Sequence, residues 1–189
     1  MATFTNEDVI IGEIEVPERV TASKEKNVLV IKGRHGIVKK DFTKLPAYID
    51  IEGNKICIKP YGRRKKDLAI TNTAKSIINN MIKGVQEGFT YKLKIVFAHF
   101  PISVKIKGKE IHVENFFGER SARVSKIIGE DTKVNVSGED VLVQGPSIEH
   151  VSQTAANIES STKIKNKDQR VFLDGLYIYS REGGFLSKD

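Results

Sequence analysis

The sequence predicts an α+β protein of two tandem similar units, each an antiparallel β-sheet with one covering α-helix, over residues 1–87 and 88–189. Three observations lead there: a repeat within the chain, apolar residues alternating around glycine turns, and two segments whose apolar residues recur at three and four. The repeat has three blocks in one order. Val30 to Gly36 resembles His112 to Gly118 (30 to 112, offset 82), and Ile49 to Ile58 resembles Val134 to Val143 (49 to 134, offset 85). Ile70 to Ala74 then lines up with Val151 to Ala155 (70 to 151, offset 81).

The elements follow in chain order. Val20 to Ser23 with Val28 to Ile31 forms a first hairpin, and Ile49/Ile51 with Ile56/Ile58 alternate with polar residues around Gly53-Asn54, which is turn chemistry. Ile70, Ala74, Ile77, Ile78, Met81, Ile82 and Val85 then make one helical stripe. Asp67 is its candidate N-terminal cap, and Gly84 and Gly88 are candidate stops. The second copy repeats the plan. Val104/Ile106 pair with Ile111/Val113 across Lys107-Gly108-Lys109, and Val134/Val136 with Val141/Val143 around Gly138. Pro146-Ser147 then opens a helix striped by Ile148, Val151, Ala155 and Ile158. The stretch from Gly183-Gly184 to Asp189 carries no pattern and is expected to be mobile.

Composition narrows the function classes. Of 189 residues 39% are apolar and 29% charged, enough apolar content to bury a core. Cys57 is the single cysteine, which excludes an internal disulfide and a multi-cysteine zinc site. No run approaches the ~18–20 apolar residues of a membrane span, and Glu7 and Asp8 stand where a secretory leader would be basic and apolar. A reducing, cytosolic setting is expected, in which the sequon Asn135-Val136-Ser137 is idle.

Charge is unevenly spread. Lys plus Arg number 31 against 24 Asp plus Glu, a net +7. Lys55, Lys59, Arg63, Arg64, Lys65 and Lys66 form one run without an acid, and Lys92, Lys94, Lys105, Lys107 and Lys109 form another. Clustered cations repel one another, and a polyanion would neutralise them. With Leu93 and Ile95 inward, Lys92 and Lys94 share an outer strand face suited to phosphates; the competing reading is a strand edge protected by lysines. Lys163 to Arg170, four cations against Asp168, reads as a loop open to a phosphate backbone, or as a solvated loop. Arg63-Arg64-Lys65-Lys66 opposes the macrodipole of the helix it precedes. Phe100, Phe116 and Phe117 are candidates for base stacking, although aromatics on sheets are more often core.

Catalytic chemistry finds little support. His35, His99, His112 and His150 lack metal-ligand spacing, and no phosphate-binding or nucleophile-elbow motif occurs. Glu130-Asp131 and Glu139-Asp140 sit in turns, where carboxylates stay ionised. An enzyme acting on RNA would have to rely on Asp41, His35 or His99. A free-standing binder of RNA or of an acidic protein also remains open.

Several stretches resemble a known family. His99-Phe100-Pro101-Ile102, Glu114-Asn115-Phe116-Phe117-Gly118-Glu119 and Asn80-Met81-Ile82-Lys83-Gly84-Val85 with Gly88-Phe89 and Tyr91-Lys92 are similar to the archaeal and eukaryotic branch of the large-subunit ribosomal protein six family. Many eukaryotic sources call it ribosomal protein nine. Lys165-Asn166-Lys167-Asp168 with Arg170, and Phe172 to Tyr177, resemble it most, and the likeness spans about residues 10 to 183. The resemblance implies two tandem α+β units in a structural constituent of the large ribosomal subunit, with no catalysis and no cofactor. It implies that the second unit docks on large-subunit rRNA near the sarcin-ricin loop and stalk base, beside neighbouring ribosomal proteins, with no membrane and no small-molecule substrate. The RNA contacts expected are Lys92, Lys94, His99, Lys105, Lys107, Lys163, Lys165, Asn166, Lys167 and Arg170, and no residue is expected to bind a metal.

Overall fold

A computed structural model describes residues 12–62, 64–98, 100–165, 167, 168 and 170–185. The chain divides into two compact units after Gln86.

Unit one contains β1 (Gly12–Glu15), β2 (Thr21–Glu25), β3 (Val28–Gly33), β4 (Gly36–Asp41), β5 (Ala47–Glu52), β6 (Lys55–Pro60) and α1 (Lys65–Gln86). The strands form two antiparallel sheets, ordered β1-β6-β5 and β2-β3-β4. Each has an apolar face, and one helix serves both. Ile14, Ile49, Ile56 and Ile58 of the first sheet and Leu29, Ile31 and Val38 of the second pack with Ala74, Ile78, Met81, Ile82 and Val85 of α1. Cys57 is buried on the other side of β6, and burial pushes its thiol pKa up, so it stays protonated.

Unit two contains β7 (Phe89–Val96), β8 (Ser103–Lys107), β9 (Glu110–Glu114), a 3-10 turn (Phe116–Gly118), β10 (Arg123–Lys126), β11 (Lys133–Ser137), β12 (Asp140–Gly145), α2 (Ile148–Ser161) and β13 (Gly175–Gly183). The order β8-β9-β10 repeats β2-β3-β4, and β7-β12-β11 repeats β1-β6-β5. The duplication read in the sequence is therefore a duplication of strand order. Gly53 and Gly138 occupy the same hairpin tip in the two copies, with φ of 60° and 59°, a region L side chains avoid. The copies differ by β13, which lies antiparallel along the other side of β7 and makes that sheet four-stranded.

Both helix starts have a physical cause. Ser147 caps α2, its hydroxyl accepting from the His150 N–H at 3.5 Å. Asp67, expected as the cap of α1, instead sits in the first turn, where its carboxylate accepts the Arg64 N–H at 3.1 Å. That is the reach-back half of a capping box, so the helix begins two residues before the expected cap.

One expectation about the end of α1 is corrected. Gly84 does not stop α1; it is buried inside the last turn, which packs against the β3–β4 hairpin. There the Val85 carbonyl, left without a helical donor, accepts the His35 N–H at 3.0 Å. Gly88, with φ of 83°, marks the reversal after the helix. Of the stretch from Gly183, expected to be mobile, Gly183 to Phe185 continue the pairing of β13. Gly184 N–H donates to the Gly88 carbonyl at 2.9 Å and Phe185 N–H to that of Glu87 at 3.0 Å, and Thr90 donates to the Gly184 carbonyl at 2.7 Å. Residues 186–189 lie outside the described residues.

The approach of α1 to β3 yields a test. A Cβ on Gly33 would stand 2.7 Å from both the carbonyl oxygen and a methyl of Val85. Gly33→Ala is expected to destabilise the protein by about 1–3 kcal/mol, seen as a lower urea midpoint, because backbone has to shift to admit the methyl.

Candidate nucleic-acid interface

The lysines of β7 point as expected but are not free. Leu93 and Ile95 are buried, and Lys92 and Lys94 share the opposite face. Lys92 pairs with Glu182 of β13 at 2.8 Å, and Lys94 with Glu139 at 3.3 Å and Asp140 at 3.5 Å. Asp140 and Glu182 come from the flanking strands and Glu139 from the turn before β12; Lys94 stands opposite Asp140 and Lys92 opposite Ser180. Hydrogen bonding to Glu182 raises the pKa of Lys92, and bonding to Glu139 raises that of Lys94. Strand-edge protection does not explain them either, because β7 lies between β12 and β13.

Other expected contacts behave likewise. Lys105 pairs with Glu114 at 2.5 Å, and Arg170 donates to both Asp168 oxygens, at 3.2 and 3.0 Å. The acid-free run of residues 92–109 is thus compensated in space for Lys92, Lys94, Lys105 and also Lys109, which reaches Glu130 at 3.2 Å. Lys107 is exposed and forms no ion pair among the described residues. His99 and Asn166 lie outside the described residues.

The segment between α2 and β13 differs. Lys163 and Lys165 are exposed on either side of buried Ile164, so one apolar anchor turns both ammonium groups outward. Neither forms an ion pair among the described residues. Lys167 is exposed, with its ammonium 4.9 Å from the ring centre of Phe172 and 5.3 Å from that of Phe117. Thr162 holds the start of the loop; its hydroxyl accepts the Leu176 N–H at 3.0 Å and donates to the Glu159 carbonyl at 3.1 Å.

Sequence reading missed the residue that fixes this loop, Arg123. Its guanidinium donates to the Glu119 carboxylate through Nε at 2.9 Å and Nη2 at 2.6 Å, and through Nη1 to the carbonyls of Ser161 at 3.0 Å and Lys163 at 3.1 Å. It also lies 4.2 Å from the ring centre of Phe116. One side chain therefore ties β10, the 3-10 turn and the loop together. The turn has an unusual backbone: Asn115 has φ of 61° and Phe117 φ of 52°, left-handed values uncommon for a bulky residue. They set the Phe117 ring against Phe172 at 5.9 Å, while Phe116 is core rather than a stacking surface. Beside the loop lies a cleft of about 630 Å³, with Val96, Phe172, Leu173 and Tyr177 as apolar lining and Lys163 among its polar groups.

Among the described residues, no group of three His, Cys, Asp or Glu side chains is placed to hold a metal. Asp41 is a turn carboxylate whose hydrogen bonds from Thr43 lower its pKa. No described helix is long and apolar enough to cross a membrane.

Fold and site together define a duplicated α+β scaffold protein with a firmly seated basic loop. The family model described as Ribosomal protein L6 matches residues 16–88 and again residues 100–175, one match per unit. Relatives called large ribosomal subunit protein uL6 are similar over nearly the whole chain. That of Staphylothermus marinus is 46% identical over 90% of this chain and 94% of its own length. That of Methanosphaera stadtmanae is 47% identical over 89% and 91%, and that of Saccharolobus solfataricus 43% over 92% and 96%. The chain belongs to the ribosomal protein L6 family, in its archaeal branch. Members of that family are structural constituents, not enzymes.

The Arg123 tie makes a pH-dependent prediction. Hydrogen bonding to Arg123 lowers the Glu119 pKa from its ordinary 4.5. A carboxylate with a lowered folded pKa stabilises the fold above its ordinary value, and that stabilisation is lost as pH falls through the lowered one. Arg123→Ala is therefore expected to cost about 1–3 kcal/mol at pH 7. The gap between variant and parent in urea unfolding should narrow on acidification below pH 4.5.

Proposed function

We propose that this chain is a structural constituent of the large subunit of the cytosolic ribosome, docked on large-subunit rRNA through unit two. What supports the first part is membership of the L6 family, together with relatives named as large ribosomal subunit proteins. What supports the second is one observation: Lys163 and Lys165 are exposed, without ion pairs among the described residues, and held outward by buried Ile164 and by the Arg123 bond to the Lys163 carbonyl. A loop positioned before it meets its partner loses little conformational entropy on binding.

The contacts assigned to rRNA are Lys163, Lys165, Asn166 and Lys167, with Lys107 on the β8–β9 hairpin and also His99. Cations of this kind neutralise phosphates and release condensed counterions, while loop and strand faces fit the shape of the RNA. Lys92, Lys94, Lys105 and Arg170 contribute little to that term, because carboxylates of the chain already balance them. By resemblance, docking is expected near the sarcin-ricin loop and the stalk base, with other large-subunit proteins alongside.

Lys163→Ala with Lys165→Ala tests this reading. Removing two phosphate contacts is expected to flatten the log-log salt dependence of binding to large-subunit rRNA by about 1.4–1.8, twice the roughly 0.7–0.9 per phosphate. The melting temperature should not move. An unchanged salt slope, or a large drop in melting temperature with unchanged affinity, overturns the assignment.

A further inference from the structure

Unit one exposes two aromatic rings that its core does not use. Tyr48 on β5 and Tyr61, just past β6, are 56% and 60% exposed, with ring centres 4.4 Å apart and planes tilted by 41°. Local structure dictates both positions. Ala47 and Ile49 alternate into the core, which turns Tyr48 outward. Tyr61 enters the reversal between β6 and α1, tight at Gly62, where a Cβ would lie 2.5 Å from an Asp67 oxygen.

That reversal brings cations to the same end of the sheet. Lys59 stands directly opposite Tyr48 across the β5–β6 pair, and Arg64, Lys65 and Lys66 follow Tyr61 within five residues (61 to 66). Arg64, Lys65 and Lys66 are exposed, and none of these four cations forms an ion pair among the described residues. The acids nearby are engaged: Asp50 pairs with Lys24 at 3.0 Å, and Asp67 accepts the Arg64 N–H. A cavity of about 110 Å³ is lined by both tyrosines, with Lys24, Asn27 and Thr43 as polar groups.

We propose that Tyr48 and Tyr61, with Lys59, Arg64, Lys65 and Lys66, form a site on unit one for a short run of unpaired RNA nucleotides, separate from the loop of unit two. Exposed rings beside uncompensated cations are what single-stranded nucleic acid uses: bases stack on the rings whatever their identity, and phosphates meet the ammonium and guanidinium groups. An acidic peptide would satisfy the cations but would leave the ring faces without a partner. The site does not depend on the docking proposed for unit two.

The experiment uses the full chain carrying Lys163→Ala and Lys165→Ala, so that the loop contributes little, and an eight-nucleotide oligoadenylate as the probe. Affinity is expected to fall roughly 5- to 150-fold on replacing both rings by Tyr48→Leu and Tyr61→Leu, the range for loss of one stacked base. Tyr48→Phe with Tyr61→Phe should bind within about twofold of the parent, since stacking needs the ring and not the hydroxyl. Both positions are exposed, so a circular-dichroism melt should be unchanged and confirm the fold. Three results would overturn the proposal: no oligoadenylate binding in the loop-silenced chain, leucine variants that bind as the parent does, or octaglutamate binding as tightly as the RNA with no sensitivity to the leucine changes.

Discussion

Each unit has two sheets with an apolar face and a single helix to cover them, and most of the architecture answers to that constraint. The stripe on α1 has to meet Ile56 and Ile58 on one side and Leu29 and Ile31 on the other, so it cannot be narrow. It also has to reach the β3–β4 hairpin with its last turn, which is why the helix runs through Gly84 and why Gly33 comes against Val85. In unit two, the 14-residue α2 meets the same demand with Val151, Ala155 and Ile158, and the chain beyond it is left to add β13. The basic loop is the connection between these two elements, and its place follows from the packing of the helix.

Charge is arranged by a second rule. Sheets bring together residues far apart in sequence, and unit two uses this to set carboxylates from β9, β12 and β13 beside the lysines of β7 and β8. Pairs this exposed contribute little to stability, of order 0–1 kcal/mol, yet they cancel much of the local potential. The positive field of unit two is thereby reduced over its strands and persists at the loop, where apolar anchoring and carbonyl hydrogen bonds hold the backbone without consuming the ammonium groups.

This explains what was legible in the sequence. Strand and helix periodicity is local, so the hairpins around Gly53 and Gly138 and the stripes from Ala74 to Val85 and from Val151 to Ile158 could be read directly. The repeat gave the order of the elements because both copies had to solve the same covering problem. What escaped was non-local. The acid-free appearance of residues 92–109 misleads because compensation comes from Glu114, Glu130, Glu139, Asp140 and Glu182, which only the folded chain brings near. Asp67 reads as a cap because caps and reach-back carboxylates are the same residue types three positions apart. Arg123 carried no signal at all: Glu119 precedes it by four residues (119 to 123), but no helix lies there to make that spacing meaningful.

The added strand β13 has a topological effect of its own. By running back along β7 until Phe185 bonds to Glu87, it brings these two residues of unit two side by side, bridged by hydrogen bonds. A unit closed in this manner is suited to circular permutation: in unit two taken alone, a short linker could join Phe185 to Glu87, and the backbone could be opened at the exposed β11–β12 tip beside Gly138. The β7–β13 pairing and the bonds of Arg123 to the loop lie away from that cut.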